Sequence, residues 1–102
     1  MIKTLLLTTS LLASTNAVAE EKDMASCEDI AAVAESIMKN RQAGVPATKM
    51  IELTKDTPLF KTLTVMAYER TRYTTDEVQQ RIIRDFTDDI YLECLTARDN
   101  DE

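Results

Sequence analysis

Apolar residues recur every three or four positions in separate stretches after residue 25, a periodicity that predicts amphipathic helices. The first stretch starts at Ser26, a favoured N-cap residue with Asp29 as its capping-box partner. It ends at Gly44, the only glycine of the chain, which predicts a left-handed C-cap. The buried stripe expected between these ends is Cys27, Ile30, Ala34, Ile37, Met38 and Arg41.

Two prolines mark the next two helices. Residues 46–53 are predicted to form a short helix with Met50, Ile51 and Leu53 turned toward the core. Thr57 and Pro58 predict the start of another helix, because proline at the first helical position loses no intrahelical hydrogen bond. Its repeating positions are Leu59, Phe60, Leu63, Met66, Ala67 and Arg70.

The last stretch predicts the longest helix, from about Thr75 to Thr96. Thr74 and Glu77 are expected to form a second capping box, with Tyr73 and Val78 packed across it as a hydrophobic staple. The core positions at a strict spacing of four are Val78, Ile82, Phe86, Ile90 and Cys94. The residues that widen this buried stripe are Ile83, Tyr91, Leu92 and Leu95. Residues 98–102 are expected to fray. With no strand pattern, repeat or linker, we predict one all-α domain of three to four helices over residues 26–97.

The N-terminal residues predict a cleaved secretory signal peptide. Lys3 supplies a positive charge, an apolar run follows over residues 5–13, and Ala17 and Ala19 provide small side chains at the cleavage site. A membrane anchor would need about 20 apolar residues, and a lipoprotein signal would need a cysteine at the cleavage site. We therefore predict cleavage after Ala19, a loose segment over residues 20–25 and a periplasmic location.

The two cysteines of the chain, Cys27 and Cys94, predict one intrachain disulfide, because small exported domains gain most from such a cross-link. A free buried thiol and an intermolecular bridge are the alternatives. An intrachain bond would join the start of the first long helix to the end of the last. The two helices would then pack antiparallel, with both sulfurs on apolar stripes.

Charge and composition exclude several classes of function. Loss of Lys3 with the signal peptide leaves eleven lysine and arginine side chains against eighteen carboxylates, a net charge of about −7. This balance argues against nucleic acids and anionic membrane surfaces as partners. The chain has no histidine, no glycine-rich loop and no CxxC pair. We therefore expect no metal, no cofactor and no enzymatic activity.

The densest carboxylate group lies on the last helix, and comprises Asp85, Asp88, Asp89 and Glu93. A row on one helix lacks the opposed pair of a glycosidase and the loop of a calcium site. We interpret it as a solvated face with ion pairs from Arg81 to Glu77 and Asp85.

The candidate partner-binding residues are tyrosines and arginines around the turn before the last helix, because both types are enriched in binding hot spots. The alternative is a structural helix end, where arginines meet free carbonyl groups. The set is Tyr68, Arg70, Arg72 and Tyr73, with Arg81 and Arg84 nearby.

The run from Cys27 to Ser36 (CEDIAAVAES) resembles the start of the acid-stress periplasmic chaperones of enteric bacteria, the HdeA type. Those proteins are small, exported and all-helical, with two cysteines in one disulfide, although their usual cysteine spacing is shorter than the 67 positions found here. The whole mature chain also resembles short exported proteins of Gram-negative bacteria and their prophages.

The resemblance implies a non-enzymatic periplasmic protein that acts through protein contacts, as an acid-stress or envelope-stress chaperone. The alternative is a specific inhibitor, or a phage-derived regulator, that binds one envelope protein. Acid would turn the net charge of the mature chain from about −7 toward +11, since carboxylates protonate near pH 4. We expect this change to loosen the fold and expose apolar surface.

Overall fold

The computed structural model describes residues 25–101, without the side chain of residue 101, and contains four helices over that range. They are α1 (Cys27–Ala43), α2 (Ala47–Thr54), α3 (Pro58–Tyr68) and α4 (Asp76–Asp101). No strand occurs in these residues, which confirms the predicted all-α fold. The predicted signal peptide, residues 1–19, and most of the predicted loose segment lie outside the described residues.

Both ends of α1 follow their local signals. The Ser26 hydroxyl accepts a hydrogen bond from the Asp29 amide at 3.0 Å, whereas the reciprocal capping-box bond is not formed within residues 25–101. Gly44 has the left-handed φ of 96°. Its amide donates to the Arg41 carbonyl at 3.1 Å, and the next amide, that of Val45, donates to Asn40 at 3.0 Å. These two bonds form a Schellman motif, as the lone glycine predicted.

The prediction for α2 is correct in place and wrong in part of its orientation. Met50 is buried, but Leu53 is 67% exposed. A two-turn helix can bury little more than one short stripe, and here Met50 and Thr54 occupy it. Thr54 is held by a buried polar contact, because its hydroxyl oxygen lies 3.1 Å from that of Thr64 on α3.

Helix α3 begins at Pro58 as predicted, although the Thr57 side chain forms no capping bond. Leu63 and Ala67 are buried as expected. Leu59, predicted for the same stripe, is 43% exposed. It lies at the start of the helix, where a groove described below remains open.

Helix α4 differs from its prediction at both ends. Its first residue is Asp76, so the predicted capping box of Thr74 with Glu77 and the staple of Tyr73 with Val78 are one residue out of register. The helix also continues to Asp101, past the predicted end at residue 96. One cause is Arg98, whose guanidinium donates to the Ala25 carbonyl and so attaches the last turns to the start of α1.

Leu92 and Leu95 do not widen the core stripe of α4, and both are exposed. At about 100° per residue, these positions lie on the opposite side of the helix from the buried Phe86 and Ile90. The apolar surface that α4 buries is therefore narrower than the sequence pattern suggested.

Contacts at both ends of α1 and α4 establish that the two helices are antiparallel. The Cys27–Cys94 disulfide joins the start of α1 to the end of α4, with 5.7 Å between Cα atoms. At the other end, the Gln79 side chain donates to the Gln42 carbonyl at 3.0 Å. Helix α3 packs on α1, and α2 packs on α3. The core between the helices consists of Ile30, Ala34, Ile37, Met38, Met50, Leu63, Ala67, Ile83, Phe86 and Ile90.

Candidate protein-binding site

The predicted partner-binding residues lie at a junction between the end of α1, the end of α3 and the loop before α4. Tyr68 is half-buried there, and its hydroxyl donates to the Val45 carbonyl at 2.6 Å. The Arg41 guanidinium lies 5.0 Å from the centre of the Tyr68 ring, within cation–π distance. Tyr68 therefore anchors α3 to the turn after α1.

The same burial affects the titration of Tyr68. Burial raises the pKa of its hydroxyl above the ordinary value near 10, and the Arg41 charge opposes this shift. A raised folded-state pKa favours the neutral form. The contribution of the neutral Tyr68 hydroxyl to stability is complete below about pH 10 and is lost as the pH rises through the folded-state pKa.

Arg70 connects three helices. Its guanidinium forms an ion pair with Asp89 of α4 at 3.0 Å and lies 5.0 Å from the centre of the Phe86 ring. Its carbonyl accepts two hydrogen bonds from the Arg41 guanidinium of α1, at 3.2 and 3.0 Å. The side chain is therefore engaged within the protein.

Arg72 and Tyr73 also bind within the chain. Arg72 Nε donates to the Gln42 carbonyl at 3.2 Å, and the Tyr73 amide donates to Gln42 Oε1 at 2.8 Å. Arg81 and Arg84 are exposed on α4 and take part in no ion pair among residues 25–101. The structure thus gathers four of the six candidates in one junction, where the side chains of Tyr68, Arg70 and Arg72 and the backbone of Tyr73 have intramolecular partners.

Gln42 organises this junction and was missed from the sequence. The residue as a whole is 1% exposed, and its side-chain Nε2 donates to the Thr71 carbonyl at 3.0 Å. A helical glutamine is usually a surface residue, so the residue type gave no indication that Gln42 is buried. The available signal was spacing, because Gln42 lies four residues after the buried Met38 on the same stripe.

The acidic residues of α4 form an exposed face, comprising Asp85, Asp88, Asp89 and Glu93. The predicted ion pairs of Arg81 with Glu77 and Asp85 are not formed within residues 25–101. Asp89 pairs with Arg70 across helices instead. In the described part of the chain, no group of three potential metal ligands is placed to hold an ion.

An apolar groove of about 340 Å³ lies between α3 and α4 and opens to solvent. Ile30 of α1 and the buried faces of Leu63 and Ile90 form its inner surface. Its remaining lining consists of Leu59, Thr62, Met66, Glu93, Cys94, Ala97 and Arg98. The sequence predicted Leu59 and Met66 as core residues, and no local pattern indicated that this side of α3 lacks a covering helix.

The disulfide borders the groove. Cys94 is half-buried and lines it, whereas Cys27 is 3% exposed. Nearby, the Tyr91 hydroxyl donates to the Glu28 carboxylate at 3.2 Å. The Glu28 charge, and then this hydrogen bond, raise the pKa of Tyr91.

Within residues 25–101, no helix combines the length and apolar character required to span a bilayer. Comparisons of this chain with protein-family models, with curated proteins and with solved structures found no match.

Proposed function

We propose that this chain is a non-enzymatic periplasmic protein that acts through protein contacts, as an envelope-stress chaperone. The observation that carries the proposal is the open apolar groove between α3 and α4. Its polar side chains, Thr62, Glu93 and Arg98, are few and lie among aliphatic ones. Such a surface suits the apolar side chains of a partially unfolded protein.

The energetics of the groove favour side-chain contacts of low specificity. Burial of apolar surface contributes about 25 cal/mol per Å², whatever the sequence that supplies it. The groove lies between helices, whose backbone groups are bonded internally along their length, so it offers no strand edge to an extended peptide. A partner would therefore be recognised by its apolar side chains.

The compartment is supported by two independent features. A disulfide in a small domain is typical of oxidising compartments outside the cytoplasm, and Cys27 and Cys94 form one here. The predicted signal peptide, residues 1–19, supports export across the inner membrane.

The charge of the chain supports a response to acid. Only three carboxylates, those of Glu35, Glu52 and Asp89, take part in ion pairs formed among the described residues. Full protonation below about pH 3 would leave the mature chain with eleven uncompensated cations. Their repulsion would loosen the small core and enlarge the apolar surface beyond the groove, while the disulfide keeps the chain compact.

The proposal is tested by aggregation of a chemically unfolded client protein, followed by light scattering at pH 7 and at pH 3. We expect the mature chain to suppress aggregation at both values, and more strongly at pH 3. Leu59→Ser should weaken suppression at pH 7 by several fold, because it removes apolar surface from the groove. Leu53→Ser is the matched control, since Leu53 is exposed on α2 and does not line the groove.

One outcome would contradict the chaperone function, and a second would contradict the role of the groove. Absence of protection for several unrelated clients at both pH values would overturn it. Equal losses of aggregation suppression in Leu59→Ser and Leu53→Ser would show that the groove does not bind the clients. Inhibition of one envelope enzyme without client protection would instead support the alternative of a dedicated inhibitor.

A further inference from the structure

The two cysteines of the disulfide differ in their exposure to solvent. Cys27 is 3% exposed and belongs to the core side of α1. Cys94 is half-buried and lines the open groove between α3 and α4. Thiol–disulfide exchange requires a thiolate to reach a sulfur atom. A small thiol that enters the groove therefore meets Cys94 first.

The position of Cys27 at the start of α1 favours its departure as a thiolate, whereas the burial of the residue opposes it. Cys27 is the first residue of α1, directly after the N-cap Ser26. Amide groups without helical partners and the helix dipole stabilise a negative charge at that position. Glu28 and Asp29 oppose this effect, but both are exposed, so solvent and salt screen their charges.

A cation lines the same groove as Cys94. Arg98 is one helical turn beyond Cys94, lines the same groove, and donates to the Ala25 carbonyl two residues before Cys27. Glu93 is the opposing charge on the groove lining. The bond to Ala25 holds the Arg98 guanidinium near the start of α1, the end of that helix at which Cys27 lies.

We propose that Cys94 Sγ is a thiol-exchange site for low-molecular-weight thiols that enter through the groove. The incoming thiolate forms a bond to Cys94 Sγ, the Cys27–Cys94 bond breaks, and its electron pair leaves on Cys27 Sγ. The products are a mixed disulfide on Cys94 and a thiolate on Cys27. The reverse attack by Cys27 expels the small thiol and restores the disulfide, so the complete cycle has no net redox change.

The wild-type protein tests this directly. The folded mature chain is mixed with glutathione at pH 8, quenched with acid at early times, alkylated and mapped by mass spectrometry. We expect glutathione on Cys94 and the alkyl group on Cys27, in about tenfold excess over the reverse arrangement, because attack depends on access to the sulfur. Equal amounts, an excess of the reverse arrangement, or exchange that requires denaturant would each overturn the proposal.

A pair of variants tests the route through the groove. Thr62→Trp fills the groove from α3, whereas Val65→Trp places the same side chain on an exposed part of α3 that does not line it. With both variants shown to be folded by circular dichroism, we expect Thr62→Trp to slow the exchange at least several fold and Val65→Trp to leave it unchanged. Equal rates in the two variants would overturn the groove route.

Discussion

At the scale of single residues, Gln42 joins more of the fold than any charged side chain of the junction. Its amide group binds the Thr71 carbonyl and the Tyr73 amide, and its backbone carbonyl accepts bonds from Arg72 and Gln79. One residue at the end of α1 thus holds the loop before α4 and the first turn of α4. A loop with irregular backbone depends on such partners, because its polar groups have no regular ladder.

We predict that Gln42→Leu lowers the free energy of unfolding by about 1–3 kcal/mol, because it leaves the Thr71 carbonyl and the Tyr73 amide without their partner. Urea denaturation at pH 7 measures the loss. Gln80→Leu is the control, since Gln80 is exposed on α4 and the same substitution there should change stability little. A Gln42→Leu protein as stable as the control would contradict this prediction. It would show that water binds the Thr71 carbonyl and the Tyr73 amide in place of the Gln42 side chain.

The residue scale also shows where sequence patterns fail. The sequence pattern placed Leu53 in the core and gave no prediction for Gln42. In the structure Leu53 is exposed and Gln42 is buried, so the first prediction is wrong and the second residue was missed. Hydrophobicity predicts the average cost of burial, whereas the partners that offset that cost for Gln42 lie about 30 residues away.

At the scale of helices, ends determined by nearby residues could be predicted. The caps of α1 at Ser26 and Gly44 and the start of α3 at Pro58 depend on groups within one turn. The start of α4 depends on the Gln42 contacts, which no local pattern contains. The groove was unpredictable for the same reason, because the stripe of α3 predicts burial without indicating which helix provides it.

We predict that Gly44→Ala destabilises the protein by about 1–2 kcal/mol, because an L-residue is strained at the left-handed φ of 96°. The new Cβ would also lie 3.1 Å from Arg72 Nη2, so that side chain would have to shift. Thermal unfolding measures the effect. Gly44→Asn is the comparison, since asparagine tolerates this conformation better and should cost less. Equal losses would indicate that the contact with Arg72, and not backbone strain, determines the effect.

At the scale of the whole molecule, the disulfide supplements a small core. A domain of this size buries a modest fraction of its surface, so its stability is marginal without a cross-link. Here the cross-link joins the two longest helices at the end remote from the Gln42 junction. Helices α1 and α4 are therefore fastened near both ends, by a covalent bond at one and by hydrogen bonds at the other.

We predict that Cys94→Ser lowers the melting temperature by more than ten degrees, or prevents folding. Loss of a native disulfide from a small domain costs about 2–5 kcal/mol, and each kcal/mol corresponds to about 4–8 °C at this size. Calorimetry of the variant and of the reduced wild type should give similar losses. Free thiols in protein recovered from the periplasm would contradict the premise.

The separation of 67 positions between Cys27 and Cys94 also bears on the order in which the fold is completed. Closing a loop of this length costs more conformational entropy than closing the short loop that brings α2 onto α3. Contacts between neighbouring helices can therefore form before α4 reaches the start of α1. Closure of the disulfide is therefore a late event, and an oxidised molecule is one in which α4 has already reached the start of α1.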